Sequence, residues 1–200
     1  MALTFCSAVG YGNLILIMAS HDNIPSRFPE DRSLEQDLGL WWILHSKPNR
    51  EWKLAKYLLN HEISYYLPIY QRKTRIGYFR LEKIIPTRLF RGYICIALDT
   101  KNHHLLYDTH DFVRIIKVND QNGFVREIEL VAKAIETGHD LFVMPGIMKG
   151  RRVRITSGPL KGAEGVVVGR SKKGQFAITV EMFNRTVIVN VDPFTNLELA

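Results

Sequence analysis

Cysteine is nearly absent from this 200-residue chain: Cys6 and Cys95 are the only two. Two thiols so far apart supply neither a disulfide framework nor a cysteine-based zinc site, and their scarcity fits a reducing, cytoplasmic setting. Long apolar runs are missing too. The patch Leu14–Met18 falls well short of the roughly 20 residues that span a bilayer, and no basic residue precedes it, as a secretory signal would require. Catalytic signatures are also lacking: there is no phosphate-binding P-loop, nucleophile elbow or paired-carboxylate motif. Among the histidines only His103, His104 and His110 cluster, and their spacing does not put two ligands on one helix face. They read as solvated loop residues. The expectation is a non-enzymatic protein without metal or cofactor, off the membrane and monomeric.

Positive charge is what the chain has in excess, with 27 Lys+Arg against 20 Asp+Glu. It is unevenly spread. Residues 41–110 carry 12 cations against 5 acids and residues 149–200 carry 9 against 4, whereas residues 111–148 between them carry 4 against 6. Two basic blocks separated by an acidic one predict anionic partners such as nucleic acid or ribonucleoprotein.

Residues 1–40 combine an apolar patch with a polar run containing Pro25 and Pro29, and read as a poorly ordered N-terminal extension ending in a short helical turn near Leu34. Met18 is a second possible start. Residues 41–136 alternate strand and helix signals. Trp41–His45 is a strand. Ser46-Lys47-Pro48 opens a helix to Asn60 with Trp52, Ala55 and Leu59 on one face, and Ile63–Leu67 is a second strand. Arg72, Lys73, Arg75, Arg80 and Lys83, with Gly77 among them, form an exposed basic hairpin or loop. Tyr70, Tyr78 and Phe79 interleave with these cations, a pattern suited to stacking on unpaired bases. Leu89–Ile96 is the strongest strand signal here. A short helix near Leu105–Tyr107, a strand over Phe112–Val118 and a helix over Glu127–Glu136 complete an α+β domain, helices on a mainly antiparallel sheet. Trp41 and Trp42 point to opposite faces of their strand, so one of them is expected to line an exposed patch.

Residues 137–149, with Gly138, Pro145 and Gly146, read as a linker. The chain from Gly150 to Val168 then runs GRRVRITSGPLKGAEGVVV. Val153 and Ile155 alternate with arginines as in a half-buried strand. Gly158-Pro159 makes a turn, Gly162 and Gly165 suit positive φ or close backbone approach, and Val166–Val168 returns as a strand. A basic turn at Arg170–Gly174 and strands over Phe176–Phe183, Thr186–Val191 and Leu197–Leu199 predict a small all-β SH3-like barrel over residues 150–200. Its β-branched content favours strand over helix.

The Gly150–Val168 pattern resembles the KOW motif, carried here by Gly150, Val153, Gly158, Pro159, Gly162 and Gly165. Trp42-Ile43-Leu44-His45, the helix bearing Trp52 and Leu58, Tyr66-Leu67-Pro68 and above all Leu89-Phe90-Arg91-Gly92-Tyr93-Ile94 resemble the N-terminal (NGN) domain of NusG-family transcription factors. Arg91 stands where that family usually has proline, and Arg151 where many members carry an acid. The resemblance implies a transcription elongation or antitermination factor, here a specialised paralogue. It implies that Trp42, Phe90, Arg91, Gly92 and Tyr93 meet the clamp region of the largest RNA polymerase subunit. Arg72, Lys73, Arg75, Arg80 and Lys83 would face upstream or non-template DNA, and the KOW domain would recruit a partner such as Rho or a small-subunit ribosomal protein. Some relatives fold that domain as a helical hairpin; a barrel is expected here. The alternative reading is a ribosome-associated or RNA-binding KOW protein with no polymerase role.

Overall fold

The computed structural model describes residues 24–76, 81–138, 141–146, 150, 152–167, 174–191 and 197–199. In chain order the first part holds β1 (Arg27–Phe28), β2 (Leu40–Ser46), α1 (Glu51–Asn60), β3 (Ser64–Tyr66), β4 (Ile69–Ile76), β5 (Leu81–Arg88), β6 (Tyr93–Leu98), α2 (His104–Tyr107), β7 (Phe112–Lys117) and α3 (Gln121–Glu136). The second holds β8 (Leu141–Pro145), β9 (Arg152–Ile155), β10 (Glu164–Val167), β11 (Gly174–Val180), β12 (Arg185–Val191) and β13 (Leu197–Leu199). An α+β domain is thus followed by a β-rich one, as the sequence predicts.

The central sheet runs β1-β3-β6-β2-β7, and every pairing in it is antiparallel. Its two faces are both covered, which resolves the tryptophan pair. Trp41, Ile43, Cys95 and Ala97 pack on one face with Phe124, Ile128 and Val131 of α3. Trp42, Leu44, Ile94 and Ile96 pack on the other with Leu54, Ala55 and Leu58 of α1 and Leu106 of α2. The buried stripe of α1 is Leu54, Ala55 and Leu58, one position off the expected Trp52, Ala55 and Leu59, which leaves Trp52 and Leu59 half-buried at its edges.

Several boundaries differ from the sequence reading, each for a local reason. Helix α3 begins at Gln121 rather than Glu127, because the Asp120 carboxylate accepts the Gly123 N–H at 2.8 Å and caps a start that Asn122-Gly123 disguises as a turn. The strand expected from Leu89 begins only at Tyr93, because Gly92 sits at φ +83°. Residues 24–40, expected within a poorly ordered extension, contain β1 and a 3-10 turn at Leu34–Gln36 that buries Leu34 in the core. Residues 141–145, expected within a linker, form β8, which pairs antiparallel with β12 from Val189↔Leu141 to Arg185↔Pro145.

The second domain is a single sheet ordered β13-β9-β10-β11-β12-β8 around Val153, Ile155, Phe176, Ile178, Val187 and Val189. The two domains share one core. Phe183, in the 3-10 turn between β11 and β12, lies against Phe90, Tyr93 and Phe124 of the first domain. The Glu181 N–H donates to Glu127 of α3 at 3.1 Å.

Candidate functional site

The expected polymerase-facing residues form a tight turn. The Tyr93 N–H donates to the Phe90 carbonyl at 3.3 Å, so Phe90, Arg91, Gly92 and Tyr93 occupy the four positions of a reverse turn. Gly92, at the third position with φ +83°, makes it type II, where glycine is needed third and proline is favoured second. Arg91 stands at that second position. The family's usual proline there is a turn requirement that arginine also meets while adding an exposed cation.

Glu51, which sequence reasoning missed, holds this turn. Its side chain is 97% buried. It accepts the Gly92 N–H at 2.8 Å and Arg88 Nη1 at 2.6 Å. A first-turn helix glutamate looks in sequence like a solvated residue favoured by the helix dipole. Only its distant partners reveal a hub joining α1, the aromatic turn and the base of the basic hairpin. The Ser46 N–H donates to the Gly92 carbonyl at 2.8 Å and fixes the turn from its other side.

Tyr93 shares a sheet face with His45, whose ring stacks on it at 5.0 Å, and Phe90 packs into the same core. Phe90 is only 3% exposed because Phe183 covers it, and Tyr93 is half-buried between His45 and Phe183. Trp42 does not join them. It lies on the opposite face, where its Nε1–H donates to the Leu98 carbonyl at 3.2 Å and its ring meets His103 edge-on. His103, expected to be solvated, is instead half-buried there, and burial lowers its pKa. Cys95 lies in the core, where burial pushes its thiol far up and leaves it unreactive.

The expected basic loop is a two-stranded ribbon of β4 and β5, separate from the other sheets. Register sorts its cations onto two faces, since directly opposed residues point the same way. Tyr70, Arg72 and Thr74 share one face with Lys83, Ile85 and Thr87; Lys73 and Arg75 share the other with Ile84 and Glu82. Arg72, Lys73 and Lys83 are exposed, while Arg75 pairs with Glu82 at 3.1 Å. Arg80, Gly77, Tyr78 and Phe79 lie outside the described residues, as do Arg151 and the basic turn at 170–173.

In the second domain Gly158 and Gly162 have φ of +80° and +88°. The Gly162 N–H donates to the Ile155 carbonyl at 2.7 Å and folds the Gly158–Gly162 loop back on β9. Gly165 serves a different need. A Cβ there would meet the Ala177 carbonyl oxygen and Phe176 Cζ, each at 2.5 Å. Val153 is buried, Gly150 and Pro159 are exposed, and Arg154 pairs with Glu164 across the β9–β10 ladder.

Among the described residues no group of His, Cys, Asp and Glu could hold a metal ion, and no helix is long and apolar enough to cross a membrane. The molecule thus joins an α+β domain, which presents a braced aromatic turn and a basic ribbon, to a glycine-punctuated β-rich domain. The family model described as "Transcription termination factor nusG" matches residues 39–137, and that of the KOW motif matches residues 149–181. The chain belongs to the NusG family, and by that membership to the class of transcription elongation factors, whose members typically interact with RNA polymerase. Among solved structures it is similar to one titled "Domain interaction in Thermotoga maritima NusG", with a TM-score of 0.40 and 15% identity, over 76% of this chain and 93% of that one. No curated protein matches it.

Proposed function

We propose that this protein is a cytoplasmic elongation and antitermination factor that binds the clamp region of RNA polymerase through the Phe90–Tyr93 turn and modulates pausing and termination. The observation that carries the reading is the bracing of that turn by Glu51, which also anchors Arg88 at the base of the ribbon. An aromatic pair on a pre-set turn is the kind of rigid apolar anchor from which protein interfaces draw most of their energy. Trp42 is left out of this surface because it lies on the other sheet face. Since Phe183 covers Phe90, engaging the clamp through Phe90 requires the second domain to lift away. That domain then recruits a partner such as Rho or a small-subunit ribosomal protein.

The ribbon, through Arg72, Lys73, Arg75, Lys83 and Arg80, faces upstream or non-template DNA in this reading. Arg72 and Lys83 share a face, so replacing each with alanine should reduce the slope of log affinity against log salt by about 1.

The primary test is to mix the full chain with core polymerase and to score retention and pausing on a defined template. Retention with altered pausing supports the reading, and Tyr93→Ala should weaken retention without unfolding the protein. A failure to bind polymerase, with co-sedimentation on ribosomes instead, would replace it with a ribosome-associated role.

A further inference from the structure

A second site lies where the two domains meet. A cleft of about 290 Å³ opens between the ribbon base, the Phe90–Tyr93 turn and the β8–β12 edge of the second domain. Four arginines line it: Arg72 from β4, Arg88 from the end of β5, Arg91 from the turn and Arg185 from the start of β12. Tyr70 and Tyr93 form part of its walls, and among the described residues no carboxylate lines it. Only Arg88 has a carboxylate partner among the described residues, Glu51.

The family resemblance places Arg72 on a nucleic-acid surface and Arg91 on a separate polymerase surface. Folding brings them to one cleft and adds Arg185 from the other domain. With only Arg88 neutralised, by Glu51, the remaining guanidinium groups repel one another, and the planar fork of arginine suits phosphate oxygens bidentately. A multivalent phosphate would offset that repulsion. The volume of about 290 Å³ lies just below the range for small-ligand pockets, about 300–1,000 Å³, which favours a compact anion over a threaded strand. The half-buried Tyr70 ring supplies an apolar wall against which a base or sugar ring can pack, while Tyr93, already stacked on His45 and against Phe183, borders the cleft.

We propose that this cleft binds a small phosphorylated anion of the nucleoside diphosphate class and that the ligand fastens the two domains together. It touches arginines of both domains, so it binds the docked arrangement more tightly than the undocked one. By mass action its presence stabilises docking. The site needs no polymerase and stands or falls apart from the polymerase reading.

The test is calorimetric titration of the full chain at about 0.15 M salt, where long-range attraction between exposed charges is largely screened. The probes are inorganic pyrophosphate, ADP and a short oligothymidylate. Pyrophosphate and ADP should each saturate one site. Arg185→Ala and Arg91→Ala, one from each domain, should each weaken both ligands at least about tenfold, consistent with losing a charge-assisted hydrogen bond. Lys117→Ala, which removes an equal charge from exposed β7, should change affinity less than about twofold. Hydrogen exchange at the Tyr93 amide should slow when ADP is bound. The proposal is overturned by absence of saturable binding, by an equal loss in Lys117→Ala, or by unchanged exchange at saturation. Tighter, Arg185-dependent binding of the oligothymidylate would also overturn it, because the cleft would then serve a nucleic-acid backbone.

Discussion

The rings of Phe90 and Phe183 lie with centroids 4.5 Å apart, one from each domain, and each is 5% exposed or less. The residue placed at the centre of the polymerase surface is therefore a core residue of the docked protein. Truncating either ring removes the same contact with opposite consequences. Phe183→Ala uncovers the turn and should raise affinity for core polymerase, whereas Phe90→Ala removes the anchor and should lower it. Both should lose stability, by about 3 kcal/mol or more for a buried Phe→Ala change. Parallel binding and urea-melt measurements decide the matter: a loss of polymerase affinity in both variants would show that Phe183 is not a cover.

Glu127 makes docking sensitive to pH. Burial chiefly pushes its carboxyl up to about 7; the Glu181 N–H opposes this, the Glu181 and Asp120 carboxylates add to it, and Arg126 opposes it. Between its ordinary 4.5 and about 7 the folded protein therefore holds a proton that the unfolded chain has released. Stability falls as pH rises through that window. Glu127→Gln should flatten this dependence and stabilise the protein at pH 8 by on the order of 1 kcal/mol, after allowance for solvent screening of a half-buried group. Thermal melts of both proteins from pH 4.5 to 8 supply the comparison.

Glu51→Ala leaves the Arg88 guanidinium and the Gly92 N–H without their carboxylate. Breaking a buried ion pair from one side costs about 3 kcal/mol or more. Glu51→Gln keeps an acceptor for Gly92 and should cost less. The signature to look for is loss of polymerase binding in a Glu51→Ala protein still folded at 25 °C, since Tyr93 is then presented on a loosened turn.

The glycines of the second domain should separate into two classes. Gly162→Ala places a Cβ in open space at φ +88° and should cost about 1 kcal/mol of backbone strain. Gly165→Ala drives a Cβ into the β11 backbone and the Phe176 ring, and overpacking of that kind costs about 1–3 kcal/mol. Chemical denaturation of the two variants gives the order directly. Gly165→Ala is the more damaging.

Those glycines were also the most legible part of the chain, because turn geometry and close approach are local demands that leave a residue-specific mark. The strand and helix periods of the first domain are legible for the same reason, but the Phe90-Arg91-Gly92-Tyr93 turn is not: its apolar flanks read as one strand from Leu89 to Ile96, which Gly92 at φ +83° interrupts. Phe183 looks in sequence like one more strand residue, since nothing near it in the chain shows that it faces another domain. Glu51 is illegible for the same physical reason: its partners Arg88 and Gly92 come from distant segments. Strand β8 hid behind Pro145-Gly146, which signal a break, although the register to β12 runs through Pro145 at the sheet edge, where no ladder donor is required of it.

Strand β8 also governs how far the second domain can travel. It pairs with β12 along its whole length, so a departing second domain carries Leu141–Pro145 with it. Only residues 137–140 then join it to the end of α3, and four extended residues reach at most about 14 Å. An undocked second domain therefore stays tethered beside the surface it has left, at an effective concentration in the millimolar range. Anything that takes its place on Phe90 must compete with a neighbour that cannot diffuse away.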